Sequence, residues 1–261
     1  MDGGTRTMHG IIDTHAHYDD KRYNDDRHAL LTALPESGVE KIISIGCDVK
    51  TSRAAVALAA EYPHVYATVG FHPHYVKKLS DATLQEIIDL ARSEKVVGFG
   101  EIGLDFFRDL SPRDVQRQWF ARLLDVAAEL NLPAIIHSRD ANGEVFATIE
   151  KSRVRNGVVH AFSGDSDLAR AYVDMGFHIG ICGVVTFKKT DALQAAVAAV
   201  PLEKILLETD CPYLAPEPFR GKRNESPFLV HVVEKIAQIK GETTETVIAQ
   251  TNANAKRLFK L

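Results

Sequence analysis

The chain alternates short runs of aliphatic and β-branched residues with longer segments in which apolar residues recur every three or four positions. The short runs predict β-strands and the longer segments predict amphipathic helices. Strands that alternate with helices in this way are typical of a parallel sheet built from βα units. The eight predicted strands cover 10–13, 41–46, 65–70, 96–100, 134–137, 157–160, 177–182 and 204–208.

The clearest helical patterns lie between these strands, and two more follow the last one. Asn131 and Gly176 are expected to end helices, and Ser80 and Ser111 are expected to begin them as N-caps. The predicted helices cover 53–61, 84–93, 113–130, 168–175, 229–240 and 244–258.

Eight βα units within 261 residues predict an α/β fold, a single (β/α)8 TIM barrel. We expect one domain over 1–261, with 1–8 as a candidate leader. The competing architecture is a doubly wound open sheet. No GxGxxG motif follows the first strand, so nothing in the sequence supports dinucleotide binding.

Composition narrows the class of protein. The net charge is −4, from 31 basic and 35 acidic residues, so an anionic partner has to be held by local groups or by metal ions. Three widely spaced cysteines, Cys47, Cys182 and Cys211, argue against a disulfide framework and for a reducing compartment. No apolar run reaches the ~18 residues of a membrane span, and no signal peptide is visible. We therefore expect a cytoplasmic enzyme with no membrane association and no obligate protein partner.

Chemistry-bearing residues fall at regular places in this pattern. In a TIM barrel, the active site lies at the carboxyl ends of the strands, and six of the eight predicted strands end in His, Asp or Glu. These ends converge on one mouth, however distant they are in sequence. The candidates, in strand order, are His15 and His17, His72 and His74, Glu101, His137, His160, and Asp210.

The first strand predicts half of a metal site. His15 and His17 are two residues apart on an extended segment, so their side chains point to the same face and both can bind one ion. Asp210 can complete the shell of that ion and accept a proton from bound water. An isolated His-x-His pair is also common in purely structural roles, so the prediction depends on the joint pattern.

The remaining ligands predict a second ion. Glu101 can use its two oxygens to bridge two ions, and His137 and His160, from adjacent strands, can reach the second ion together. Mixed imidazole and carboxylate ligands suit Zn, Mn, Fe or Co, and Mg is less usual with this many nitrogens. Two ions held ~3.5–4 Å apart are a known arrangement for phosphoester and amide hydrolysis.

Substrate contacts are less specific in the sequence. His72 and His74 flank Pro73 and either contact substrate or metal or simply order a loop. Arg139 is a phosphate contact or an ion-pair partner. The basic segment Arg220-Gly221-Lys222-Arg223-Asn224 follows the eighth strand, so Arg220 and Arg223 are candidate phosphate contacts. Cys211 is expected to be an ordinary core thiol, and His9, His28, His64, His178 and His231 lie off the strand ends.

Together these motifs resemble the TatD-like metal-dependent deoxyribonucleases of the amidohydrolase superfamily, over 12–259. The resemblance rests on Ile12-Asp13-Thr14-His15-Ala16-His17, Gly70-Phe71-His72-Pro73-His74, Gly100-Glu101-Ile102-Gly103-Leu104-Asp105-Phe106, His137-Ser138-Arg139-Asp140-Ala141, His160-Ala161-Phe162-Ser163-Gly164, Glu208-Thr209-Asp210-Cys211-Pro212-Tyr213 and Asn252-Ala253-Asn254.

This resemblance implies a TIM barrel with two divalent metal ions and hydrolysis of DNA, often from 3′ ends. It implies that one ion is held by His15, His17, Glu101 and Asp210, and the other by Glu101, His137 and His160. The chain departs from the family pattern after the eighth strand, where Ser226 separates Glu225 from Pro227. The departure concerns the shape of this loop.

Three functions follow as hypotheses. The leading one is a phosphodiesterase that cleaves DNA at a single strand or strand end by a metal-activated water, with Asp210 and Glu101 as catalytic residues. The second is a metal-dependent hydrolase of another bond, such as an aminoacyl-tRNA ester or a cyclic amide. The third is a non-catalytic scaffold, against which the complete ligand set argues.

Overall fold

Eight parallel strands form the sheet of the computed structural model, in the order in which they occur along the chain. The structure describes residues 10–261, so the expectations for His9 and for a leader over 1–8 lie outside the described residues. The strands are β1 (Ile11–Ala16), β2 (Val39–Ile45), β3 (Val65–Val69), β4 (Val96–Asp105), β5 (Ala134–Arg139), β6 (Gly157–Val159), β7 (His178–Ile181) and β8 (Ile205–Leu207).

The last strand returns to the first. A parallel bridge joins Ala16 to Cys211, the His17 amide donates to the Cys211 carbonyl at 2.8 Å, and the Asp210 amide donates to the His15 carbonyl at 2.9 Å. The nearly closed barrel confirms the predicted TIM barrel over an open sheet.

Helices lie between the strands and after β8, and their predicted positions are confirmed to within a few residues. None of the helices in the described part of the chain is both long enough and apolar enough to cross a membrane. The helices are α1 (Arg27–Ala33), α2 (Val49–Glu61), α3 (Asp81–Leu90), α4 (Arg113–Leu130), α5 (Asn142–Lys151), α6 (Ser166–Asp174), α7 (Asp191–Ala199), α8 (Leu229–Lys240) and α9 (Thr244–Phe259).

Local sequence explains several helix ends. Ser80 caps α3 by accepting from the Thr83 amide, and Asn131 ends α4 in the left-handed conformation, at a φ of 53°, as the sequence predicts. The predicted N-cap at Ser111 is wrong, because Pro112 precedes α4 without a side-chain cap. The Ser111 hydroxyl instead donates to the His74 carbonyl at 2.9 Å, and so anchors a loop at the barrel mouth.

The C-terminal helix secures the seam between the closing strands. The Asn252 side chain accepts from the Ile12 amide of β1 at 3.1 Å, and Asn254 donates to the Ile205 carbonyl of β8 at 2.9 Å. Phe259 packs in the same buried cluster as Ile12. The Asn-Ala-Asn motif therefore supports closure of the barrel.

Strand β4 runs five residues beyond its predicted end at Gly100, to Asp105. Glycines interrupt the apolar pattern here, but the structure requires them. A Cβ atom on Gly103, which has a φ of 152°, would lie 1.9 Å from the His137 carbonyl oxygen, so only glycine allows this close pairing of β4 with β5. Glu101 consequently lies within a strand, beside β5.

Candidate metal centre

The six predicted metal ligands lie together at the carboxyl ends of the strands. β1 and the residue after it supply two, β4 and β5 supply one each, and the segments after β6 and β8 supply the others. The barrel thus assembles residues from 15 to 210 in one place. The six are His15, His17, Glu101, His137, His160 and Asp210.

Glu101 lies at the middle of this group, and its two oxygens face different neighbours. Oε2 is 3.5 Å from His15 Nε2 and 4.0 Å from His17 Nε2. Oε1 is 2.6 Å from His137 Nδ1 and 3.0 Å from His160 Nε2. One buried carboxylate therefore connects two clusters of imidazoles.

The first cluster contains His15, His17 and Asp210. The two Nε2 atoms are 3.2 Å apart, and Asp210 Oδ1 lies 3.6 Å from His15 and 3.3 Å from His17. These ligand atoms lie within 4.8 Å of one another, as a shared cation requires. His15 Nδ1 is buried without a hydrogen-bond partner among the described residues.

The second cluster contains His137 and His160 around Glu101 Oε1, and His72 joins it. His72 Nε2 lies 3.4 Å from Glu101 Oε1 and 3.3 Å from His137 Nδ1. His72, Glu101 and His137 also have spacing that could hold a metal ion. The sequence left open whether His72 contacts substrate or metal, and the structure places its ring beside two of the candidate metal ligands.

Cys47 is a neighbour that the sequence analysis missed. It follows β2, and its Sγ lies 3.8 Å from Glu101 Oε2, within a group that includes His17. Burial and the charge of Glu101 raise the pKa of the Cys47 thiol well above its usual range, so the group is a neutral thiol. A search of strand ends that counted sulfur as a ligand would have found it.

Asp105 holds two histidines from behind. Its Oδ2 is 2.7 Å from His74 Nε2 and 3.2 Å from His137 Nε2, while Oδ1 accepts from the amides of Phe107 and Arg108. Carboxylates that contact the far nitrogen of a ligating histidine fix its ring orientation. His74 is thus connected to the centre through Asp105.

Glu208 takes a similar position behind His160. It is fully buried, its Oε1 accepts from the Ala161 amide, and the same oxygen lies 3.5 Å from His160 Nδ1. Glu208 belongs to the motif after the eighth predicted strand, but the sequence alone indicates no role for it. Its contact with His160 depends on the pairing of distant strands.

Asp13 organises the seam beneath the first cluster. It accepts from the His15 amide at 3.2 Å, from the Thr209 amide and hydroxyl at 3.0 and 2.6 Å, and from the Ser226 hydroxyl at 2.6 Å. Burial raises its pKa to about 6, although these hydrogen bonds oppose the rise. Ser226, which departs from the family pattern, is itself contacted by the Tyr18 hydroxyl at 3.0 Å.

The carboxylates of the centre are stabilised as anions. Burial alone would raise the pKa of Glu101, but the charge of His160 and the hydrogen bonds with His137 and His15 hold it well below its usual range. Burial likewise opposes the lowered pKa of Asp210, which results mainly from the hydrogen bond with His17. The pKa of His17 is in turn raised to about 9 against the effect of burial.

The three arginines predicted to contact phosphate differ in their ion pairs. Arg223 pairs with Asp26 at 2.6 Å and with Glu225 at 2.7 Å. Two carboxylates therefore hold its guanidinium within the loops. This geometry favours a structural role for Arg223 over a direct contact with phosphate.

Arg139 and Arg220 make no ion pair with any residue from 10 to 261. The Arg139 guanidinium lies over the Phe107 ring at 4.3 Å, and that of Arg220 lies over the Phe187 ring at 4.4 Å. Both keep donors available for an anion.

Cys211 is fully buried, as the sequence predicts.

The donor set fits divalent transition metals. Imidazoles with two carboxylates are the ligands that Zn, Mn, Fe and Co share. The two groups of imidazoles adjoin, because the His15 and His160 rings stack at 3.9 Å between centroids and, with Glu101, also have a spacing that could hold an ion. The histidines that now share protons with the carboxylates would release them on metal binding.

Comparisons with known proteins agree with this chemistry. The model of the family described as "TatD related DNase" matches residues 12–260. The chain is 38% identical to the "Uncharacterized metal-dependent hydrolase YabD" of Bacillus subtilis, covering 96% of this chain and 99% of the relative. It is 35% identical to the "3′-5′ ssDNA/RNA exonuclease TatD" of Escherichia coli, covering 91% and 94%.

A solved structure shows the same architecture. The crystal structure of YJJV, a TatD homolog from Escherichia coli, superposes with a TM-score of 0.91 at 31% identity, covering 96% of this chain and 98% of the other.

Proposed function

Because the chain belongs to the family of TatD-related DNases, we propose that it hydrolyses phosphodiester bonds of single-stranded DNA from the 3′ end, using two divalent metal ions. The carrying observation is the position of Glu101, whose two oxygens face two adjoining groups of imidazoles. The relatives named 3′-5′ ssDNA/RNA exonuclease support the substrate and direction, and they add RNA to the substrates to be tested.

The residues divide into two ligand sets in this proposal. His15, His17 and Asp210 would hold one ion with Glu101 Oε2. The set at Glu101 Oε1 would hold the other. When bound, the ions supply positive charge to the phosphate and lower the pKa of a water molecule. The second set comprises His137 and His160, with His72 as an additional donor.

Exposure separates the roles of the two carboxylates. The Asp210 side chain is 16% exposed and that of Glu101 is 4% exposed. Asp210 therefore faces the mouth, where it is placed to accept a proton from the attacking water at Oδ1. Glu101 is enclosed by imidazoles and serves to fix the separation of the two ligand sets.

The chain orients the histidines through buried carboxylates. Asp105 fixes the rings of His137 and His74, and Glu208 lies behind His160. These contacts preorganise the ligands, so that less reorganisation is needed when substrate binds. Arg139 and Arg220 supply the free cations for phosphates near the mouth.

The test is digestion of single strands that carry a fluorophore at the 5′ end, with manganese or with chelator. We expect products that shorten progressively from the 3′ end, strong inhibition by an inverted 3′-terminal nucleotide, and no turnover with chelator. Glu101→Gln should abolish turnover, because a neutral amide bridges two cations poorly. Glu150→Gln, an exposed change on α5, is the matched control and should be fully active.

The rival functions predict other results. Metal-dependent cleavage of an aminoacyl ester or a cyclic amide, without cleavage of oligonucleotides, would replace the proposed function with the second hypothesis. Internal cuts that ignore a blocked 3′ end would refute the direction. Comparison of DNA, RNA and duplex substrates of the same sequence defines the strand preference.

A further inference from the structure

Four large hydrophobic side chains are exposed in the described part of the chain, and all four lie at the barrel mouth. They occupy segments that follow β3, β4 and β8, at the carboxyl ends of the strands. Single exposed apolar residues are ordinary on a protein surface, but their confinement to one face indicates a binding surface. The four are Tyr75, Phe107, Leu110 and Tyr213.

Tyr213 lies beside the first ligand cluster. Its ring centroid is 6.3 Å from that of His17, and its amide donates to the Asp210 carbonyl at 2.9 Å. The Arg22 guanidinium lies over the ring at 4.2 Å, and Asp20 holds that guanidinium at 2.9 Å. The ring is fixed in place, yet 47% of the residue remains exposed.

Phe107 lies on the side of the second cluster. Its amide donates to Asp105 Oδ1 at 3.0 Å, and Asp105 contacts His137 through its other oxygen. The Arg139 guanidinium lies over the Phe107 ring at 4.3 Å. Although it is 56% exposed, Phe107 is thus connected by one residue to the ligands.

We propose that Phe107 with Arg139 and Tyr213 with Arg22 form two base-stacking platforms on opposite sides of Glu101. Aromatic rings accept any base by stacking. The Arg139 guanidinium, which has no ion pair with a described residue, binds the intervening phosphate, whereas Arg22, which Asp20 holds, supports the Tyr213 ring. The two platforms would hold the last bases of a single strand so that the phosphate between them reaches the metal centre. This inference rests on the proposed function and adds how the substrate is recognised.

The chemistry of the platforms selects the substrate. Stacking requires bases that have left their neighbours, which a single strand offers and a paired duplex end does not. Because every base has a π-face, the platforms accept all sequences. The pairing of each ring with an arginine favours a polyanion that carries aromatic groups. It disfavours an apolar peptide, which would meet a guanidinium group at both rings.

Binding to an oligonucleotide tests the platforms directly. The probes are single strands with phosphorothioate linkages near the 3′ end, to resist cleavage, and with 2-aminopurine, whose fluorescence falls on stacking, as each of the last two bases in turn. Tyr213→Ala and Phe107→Ala should each weaken binding about 5- to 100-fold and restore the fluorescence. Tyr213→Phe, which keeps the ring, and Glu150→Gln, the exposed change on α5, should bind as the wild type does.

An abasic strand separates stacking from damage to the fold. When the last two bases are removed, the wild type should lose the contribution of both platforms and each alanine variant only that of its remaining platform, so that all of them should bind the abasic strand with similar affinity. Metal content per chain should stay unchanged in all variants. The platforms would be overturned if the alanine variants bound the intact strand as tightly as the wild type does. They would also be overturned if each alanine substitution weakened binding to the intact strand and to the abasic strand by the same factor.

The outcomes also separate this inference from the function on which it rests. A wild type that neither binds nor cuts single strands overturns both. A wild type that cuts single strands from the 3′ end, with alanine variants that bind equally well, overturns only the platforms.

Discussion

Asp210 is the residue at which a small change should separate the chemistry from the fold. Asp210→Asn keeps the shape of the side chain but removes a proton acceptor and a negative charge from the first ligand set. Loss of a general base typically costs ~10²–10⁴-fold in rate, and weaker metal binding adds to this. We expect an unchanged melting profile with turnover reduced by at least this factor.

The matched control for this change is Asp174→Asn, at an exposed position of the described chain immediately at the end of α6, which should keep full activity. Near-normal turnover by metal-loaded Asp210→Asn would show that another group accepts the proton.

Ser226 separates Glu225 from Pro227, and its hydroxyl connects two buried groups. It donates to Asp13 at 2.6 Å and receives the Tyr18 hydroxyl at 3.0 Å. Ser226→Ala leaves both groups one partner short, which typically costs about 1–3 kcal/mol. Urea unfolding should show this loss, whereas Ser163→Ala, at an exposed serine, should change the free energy of unfolding little.

If Ser226→Ala had the same free energy of unfolding as the wild type, water would replace the hydroxyl, and Ser226 would not contribute to stability.

The sequence predicts that the six candidate ligands lie together because each is found at the end of a predicted strand, a rule that needs no tertiary detail. It did not reveal the contacts of Asp105 with His74 and His137, since these depend on side-chain direction across neighbouring strands. It also proposed Arg223 as a phosphate contact. The pairing of Arg223 with Asp26 depends on how two distant loops meet.

The length of strand β4 is a feature that the hydropathy pattern does not predict. Glycines normally weaken a strand, so the predicted strand ends at Gly100. The structure continues it to Asp105 because Gly103 allows the backbone of β5 to approach closely. This pairing places Glu101 opposite the ligands of β5.

Strand β7 begins at the end of the barrel away from the mouth, and its first residue, His178, is buried. Burial, with the charges of Lys204 and Arg257, lowers the pKa of His178 to about 4. The unfolded chain takes up this proton near pH 6.5, and the folded chain does so only near pH 4. Stability is therefore lost as the pH falls through this window.

As the pH falls from 7 to 5, the titration of His178 should lower the unfolding free energy of the wild type by about 2 kcal/mol. His178→Leu should lose less stability over the same range, by about this amount, in urea titrations with chelator present. Parallel pH profiles for the two proteins would show that His178 does not titrate as its burial predicts.

At the scale of the whole molecule, the distribution of charge limits how nucleic acid binds. The net charge is −4, and Arg139 and Arg220 lie near the mouth without ion pairs to described residues. A pocket of this kind contacts ~2–4 phosphates, which predicts a slope of log K against log salt of roughly −1.5 to −3 on single strands. Binding of a phosphorothioate-ended strand over a salt series measures it.

Arg220→Ala should weaken binding of all sequences alike, because phosphate contacts do not read bases. A slope near −7, or a strong preference for one base sequence, would require an extended or base-reading surface in place of the pocket.

The barrel brings residues from β1 to β8 to one mouth, and Glu101 connects the two ligand sets there. The most direct test of this arrangement is anomalous diffraction from crystals of the manganese-loaded protein. We predict two ions, ~3.5–4 Å apart, with Glu101 touching both, His15, His17 and Asp210 on one, and His137 and His160 on the other. A single ion, or ions that do not contact Glu101, would contradict it.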